Sequence, residues 1–412
     1  MFKPSNRSLR ALISGPRPAP LAPSGLGRGR YLNTGRRKPP RRSREPQPFG
    51  ETHRFKGYSL VELMVAMALA LMILGMAFTF FNDMYNTADL ADNIADVNEN
   101  LRATVNVIST DLMTSGTEIA VGGIPIPSGG TATPINRPGP PGAGTFPATG
   151  AIPVVSPGPG LGPNCCGPTG TIPTDLITLI SINQLSNLDQ YPLTNITTSV
   201  TAATITVALP VPGPGTNINP AGPPTPNPSA VVPGQLIMLT NVNGSCLLTV
   251  TAVDYTTNII TFTHTDPNDT FGLNQFSGPT SGTINQLKTG GTFPSTSAYH
   301  VSMVTYYLDN STTPYRLMKQ YLFKTATNPP QPVALDINVL QFSYSLYPAC
   351  DTPSDPCRSI TDYPNQGPNN IRKVNIWAIG QADHPNRKTG RYFSNSIATS
   401  VTIQNLAYYN KY

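Results

Sequence analysis

One glycine, one aromatic residue and one carboxylate carry the chemistry that can be read from this chain. They lie in Lys56-Gly57-Tyr58-Ser59-Leu60-Val61-Glu62-Leu63, which opens an apolar run reaching Phe81. Glu62 is followed by no further charge until Asp83. A charge at membrane depth costs roughly 2.5–3.5 kcal/mol to insert. The dipole at a helix N-terminus returns only about 0.3–1 kcal/mol of that. A carboxylate kept in such a place calls for a cationic partner. Cleavage after Gly57 would create one, the new amine of Tyr58. Gly57 also suits an endopeptidase, because it is unbranched at the scissile bond. Read without processing, Gly57 is a helix breaker before an apolar helix and Glu62 is an N-terminal dipole partner.

The elements around these residues extend the reading. Residues 58–81 would form a helix ~36 Å long, enough to cross a bilayer. A secretory signal is cut after its apolar run, whereas here the basic flank and the small residue precede it. The helix is predicted to continue beyond the membrane. Leu90, Ile94, Val97, Leu101, Val105, Ile108 and Leu112 recur at spacings of 4, 3, 4, 4, 3 and 4. That is one apolar face, and no Pro or Gly intervenes before Gly116. The stripe reads as core docked on a folded domain, with contacts to neighbouring subunits as the alternative.

Charge separates the leader from the rest. The sequence carries a net +6 over 412 residues. Residues 1–57 hold 14 Lys/Arg and 2 Asp/Glu, and the remainder 13 and 19. A chain cut after Gly57 is therefore acidic, which removes the argument for nucleic-acid binding that a pI near 9 would otherwise offer. The basic segment 1–57 reads as a disordered leader held in the cytoplasm by the positive-inside rule. Translation starting nearer Arg54 is the other reading of that segment.

Downstream, 45 Pro and 35 Gly in the whole chain cluster instead of spreading. Residues 117–173 and 210–234 read as Pro/Gly-rich loops. Residues 174–412 read as β-rich, with strands at 176–182, 204–209, 236–239, 246–253, 259–263, 300–308, 317–323, 339–346, 374–380 and 396–404. The expected class is α+β: a long N-terminal transmembrane and amphipathic helix (58–81, then 82–116) packed on an antiparallel sheet domain.

Five cysteines show no metal-ligand spacing. Cys350 and Cys357 flank a short polar loop and are the candidate disulfide in an oxidising compartment. Cys165 and Cys166 read as free or separately paired thiols, with a vicinal bridge as the alternative. Asp351 with Asp355, and Asp266 with Asp269, lack a calcium-loop frame. His264, His300 and His384 lack catalytic or metal spacing. No nucleophile, phosphate loop or carboxylate pair argues for an enzyme, and no cofactor or metal is implied. Trp377, Tyr408, Tyr409 and Tyr412 form no decisive pattern.

The motif from Gly57 to Leu63 resembles the cleavage and methylation signal of the type IV pilin-like superfamily, with Tyr58 where Phe is usual. The resemblance implies a membrane prepilin peptidase that cuts after Gly57 and methylates the Tyr58 amine. It implies Glu62 as that amine's partner in assembly. Val304-Thr-Tyr-Tyr-Leu-Asp309, Tyr315-Arg-Leu-Met318, the segment from Val333 to Tyr344 and Ser400-Val-Thr-Ile-Gln-Asn405 resemble the PilW-type minor pilins, with Gln404 replacing the common Arg. Residues 233–266 resemble a small β insertion seen in that group. The implied protein is structural: a single-pass inner-membrane subunit with a periplasmic domain that helps initiate or assemble a type IV pilus. Its implied partners are other minor and major pilins and the inner-membrane assembly platform. A type II secretion pseudopilin and a pilus-associated adhesin are the alternatives.

Overall fold

A computed structural model describes residues 57–120, 123–127, 137–146, 150–165, 172–183, 186–208, 218–220, 230–276, 281–312, 315–322, 329–346 and 371–407. The chain divides into two units, Met1–Ala68 and Leu69–Tyr412.

Helix α1 runs from Leu60 to Thr114. Its first turns lie in the first unit, where Leu60, Val61, Leu63, Met64, Val65 and Met67 all expose their side chains. The helix is long and apolar enough to cross a membrane. Within the second unit, Val97, Leu101, Val105, Ile108 and Leu112 are buried. Leu90 and Ile94 are only half-buried, so the stripe becomes core from Val97 onward. The helix ends before Gly116, whose φ of +77° few other residues tolerate. The Gly116 N–H then donates to Ile180 O at 3.0 Å.

The sheets of the second unit are antiparallel throughout their described pairings. Short strands β1 (Ile124–Pro125), β2 (Ala151–Ile152) and β3 (Val155–Gly158) form inside the stretch read from sequence as loop. Pro and Gly in or beside them hid them. They precede β4 (Leu176–Ile182), β5 (Leu193–Thr198) and β6 (Ala202–Val207). Next come β7 (Leu236–Asn241), β8 (Gly244–Thr249), β9 (Ala252–Asp254) and β10 (Ile259–Thr263). Then follow β11 (Ser297–Asp309), β12 (Arg316–Tyr321) and β13 (Gln331–Ala334). The last strands are β14 (Ile337–Leu346), β15 (Ile371–Pro385) and β16 (Tyr392–Thr402), before helix α2 (Gln404–Ala407).

The largest sheet has the order β13-β12-β11-β4-β3, with the β7–β8 hairpin joining β11. A four-stranded sheet has the order β5-β6-β10-β9, and a three-stranded one the order β14-β15-β16. Two cores result. Leu236, Met238 and Leu247 face the larger core with α1, while Ile237, Leu239, Cys246 and Leu248 face the smaller one under β5, β6 and β10. Burial on both faces is why β7 and β8 read as continuous apolar runs instead of alternating.

Two predicted strands also change. Residues 246–253 are not one strand: the Thr251 N–H leaves the hairpin and donates to Thr261 O at 2.9 Å, so β8 and β9 belong to different sheets. The final strand stops at Thr402, and Gln404 opens α2. There the Asn405 amide donates to Ser115 O and Thr117 Oγ1, at 3.0 and 2.9 Å, covering groups the end of α1 leaves open.

Helix α1 meets the sheet at close range. A Cβ placed on Gly380 in β15 would lie 2.9 Å from Val97 Cγ1 and 3.2 Å from Leu101 Cγ. Beside it the Asn100 amide donates to Asp336 Oδ2 at 3.2 Å, and the Asn395 amide donates to Asn98 Oδ1 at 2.7 Å.

Candidate functional site

Gly57 and Tyr58 precede α1 in non-helical backbone. A Cβ on Gly57 would meet nothing within 4 Å, and its φ lies outside the left-handed region. Neither packing nor backbone strain therefore requires glycine there. Tyr58 is 84 % exposed, so the Gly57–Tyr58 bond is open to a protease.

Ser59 caps the helix. Its Oγ accepts the Val61 N–H at 3.3 Å and its carbonyl accepts the Leu63 N–H at 3.1 Å. In return the Ser59 N–H donates to Glu62 Oε2 at 3.2 Å. The Glu62 bond is the return half of a capping box, with Ser59 Oγ on the second helical N–H instead of the third, and it aims the Glu62 carboxylate back toward the residue that follows Tyr58. The S-x-x-E spacing before an apolar run was its sequence signal, which reading Glu62 only as a charge passed over.

Residues 52–78 match the family model described as the prokaryotic N-terminal methylation motif. This is a type IV pilin-like N-terminus. The match covers the segment around Gly57 and the first turns of α1, and does not extend to the sheets. No curated protein and no solved structure gives a significant match to the chain. Type IV pilin-like proteins of this motif are membrane-anchored components of pilus or secretion systems, processed by a prepilin peptidase and associating with other pilins. The exposed apolar start of α1 fits that anchorage.

The remaining sequence candidates are scattered. Cys350, Cys357, Asp351, Asp355 and the terminal tyrosines lie outside the described residues. Cys165 is disulfide-bonded. Cys246 is free and buried, and burial pushes its thiol up to about 12. Asp266 and Asp269 shape one turn: Asp266 accepts the Asn268 N–H, and Asp269 accepts from Leu273 and Asn274. Among the described residues no three His, Cys, Asp or Glu side chains converge as metal ligands. His300 is half-buried, and its Nδ1 is buried with no hydrogen-bond partner. Burial pulls its imidazole down to about 4.

One polar cluster was not legible in the sequence. Asp111, on α1 beside the apolar stripe, accepts a hydrogen bond from Tyr306 OH at 2.6 Å and pairs with Lys319 Nζ at 2.7 Å. The Lys319 ammonium also lies 5.6 Å from the Tyr306 ring centroid and 4.9 Å from that of Tyr321. Burial, reinforced by the Asp111 charge, holds the Tyr306 hydroxyl far above its ordinary range. Burial alone would pull Lys319 down, but its hydrogen bonds and the charge of Asp111 outweigh it and hold the ammonium above its usual value. The cluster ties the last turn of α1 to β11 and β12.

Proposed function

We propose that this chain is a PilW-like minor pilin with a structural role in initiating and assembling a type IV pilus. The processing motif, on an open Gly57–Tyr58 bond ahead of an exposed apolar helix, supports the pilin-like part of the reading, and the likeness of the segments 304–309, 315–318, 333–344 and 400–405 to PilW-type minor pilins favours the pilus. Residues 1–57 are the leader, held in the cytoplasm. Residues 58–81 anchor the subunit in the inner membrane, and residues 82–116 bear the β-rich unit in the periplasm. Water added across the Gly57–Tyr58 amide leaves a carboxylate on Gly57 and an amine on Tyr58; the amine then takes a methyl group from a sulfonium methyl donor, releasing a thioether and a proton, and remains cationic when protonated. The new cation arises one residue before the N–H that Glu62 already holds. Within one chain this pairing lowers the cost of Glu62 in the membrane; between chains it sets the register of a growing filament. Prepilin peptidase, other pilins and the assembly platform are the partners.

Mass spectrometry of the protein from peptidase-competent cells tests the reading. The expected mature N-terminus is N-methylated Tyr58, and one that remains at Met1 overturns it. Glu62→Gln keeps an acceptor for the Ser59 N–H and removes only the charge. Cleavage is expected to survive in that variant while assembly falls. The motif serves a type II secretion pseudopilin equally well. Loss of surface pili against loss of secreted protein in a deletion strain separates the two.

A further inference from the structure

The outer face of the β14–β15–β16 sheet holds a groove of about 780 Å³. Its floor is two neighbouring cross-strand rows. In the first, Trp377 stands between Gln341 of β14 and Ala398 of β16. In the second, Asn375 stands between Ser343 and Ser400. The rows are two residues apart along the strand, ~7 Å. Pro173 contributes to the wall, and the Gln341 amide donates to its carbonyl at 3.1 Å.

The chemistry of these rows is unusual for an exposed sheet face. Trp377 is the only tryptophan in the chain, and it is 39 % exposed. Its neighbour Ala398 is too short to cover the indole. The second row is pre-arranged: the Ser400 hydroxyl donates to Asn375 Oδ1, and the Asn375 amide donates to Ser343 Oγ at 3.2 Å. Each of these groups keeps donor or acceptor capacity for a ligand. The charged side chain at the groove is Asp175, which is buried and accepts the Gly160 and Phe342 N–H groups.

We propose that this groove binds a neutral hexopyranose chain. The C–H face of a pyranose carries slight positive charge and suits the negative face of an indole ring. Its hydroxyls are donors and acceptors at once, as are the Ser and Asn side chains one row away. A sugar stacked on Trp377 brings its hydroxyls over the Ser343–Asn375–Ser400 row. A protein partner is served better by a larger apolar centre or by arginine and further aromatics, and this groove presents one ring among small neutral groups. The inference does not depend on processing at Gly57.

The single tryptophan makes the test direct, because emission excited at the red edge, where tyrosine does not absorb, reports on Trp377 alone. The chain is purified in a detergent without a sugar headgroup and titrated with malto-, cello-, manno- and chito-oligosaccharides. A saturable emission change with at least one series is expected. Calorimetry with that series is expected to show affinity reduced on the order of tenfold in Trp377→Ala and largely kept in Trp377→Phe. Asn375→Ala weakens binding several-fold with unchanged far-UV circular dichroism. Three results overturn the proposal: no saccharide alters the emission, binding persists in Trp377→Ala, or the emission follows only protein concentration, which would make the face a contact between copies of the chain.

Discussion

Replacing Asp111 by alanine removes the one carboxylate in the cluster that joins α1 to the large sheet. Lys319 has 14 % of its side chain exposed and Asp111 has 25 %, so the pair is largely shielded from water. Without Asp111 the ammonium keeps its hydrogen bond to Tyr321 and the ring faces of Tyr306 and Tyr321, and no carboxylate. The Tyr306 hydroxyl loses its acceptor in a buried setting. Breaking a fully buried pair from one side costs about 3–5 kcal/mol. Discounting for the partial exposure of Asp111 gives about 2–4 kcal/mol for Asp111→Ala. Lys319→Met is expected to cost only about 1 kcal/mol, because the methionine still packs on both rings and Asp111 keeps the Tyr306 donor. The measurement is urea unfolding of the full chain in detergent, read by Trp377 emission and far-UV circular dichroism. Alkaline pH supplies a second readout. The folded-state pKa values of Tyr306 and Lys319 are both raised, so their stabilisation is complete below about pH 10 and is lost as pH climbs above it. Wild type should therefore lose more stability than Asp111→Ala between pH 9 and 11. A cost below about 0.5 kcal/mol for Asp111→Ala, or an equal cost for Lys319→Met, would refute the reasoning.

Three further outcomes follow from the fold. Gly380→Ala should destabilise by about 1–3 kcal/mol, because its Cβ meets Val97 and Leu101, and Val97→Ala in the same chain should recover part of the loss in unfolding experiments. The folded-state pKa of His300 is depressed, so its contribution is present above pH 6.5 and is lost as pH falls toward 4, by up to about 3 kcal/mol. His300→Gln should flatten the stability profile between pH 7 and 5, and an unchanged slope would count against a buried neutral imidazole. Asp175→Ala strands the Gly160 and Phe342 N–H groups and should cost about 2–4 kcal/mol, while Asp175→Asn, which keeps an acceptor, should cost less by the same assay.

Local sequence was informative where a single face or a single motif decides structure. Strands β4 and β10 were legible to the residue because apolar runs ended at clear turn signals. From Val97 onward the α1 stripe named the buried apolar residues, because helical spacing fixes which side chains share a face, while Leu90 and Ile94 on the same stripe stay half-buried. Strand β11 carries apolar residues on both alternations and is buried on both faces. Strand β5, Leu-Thr-Asn-Ile-Thr-Thr, was missed because it lies at a sheet edge with three of its residues exposed, and so carries little apolar signal. Strand β13 was missed because Pro332 disguises it, and a proline is tolerated there at the edge of its sheet.

The sequence by itself determined the N-terminal motif. Gly57, Tyr58, Ser59 and Glu62 lie within six consecutive positions, and a helix start needs nothing distant to place them. The tertiary structure alone decided which residues meet from afar. Asp111 and Lys319 are far apart along the chain and come together only because α1 packs across β11 and β12. Trp377 gains its polar row only because β14, β15 and β16 pair in one register. Strand register and helix docking are set by the burial of whole apolar faces, and no local pattern of charges or aromatics records that outcome.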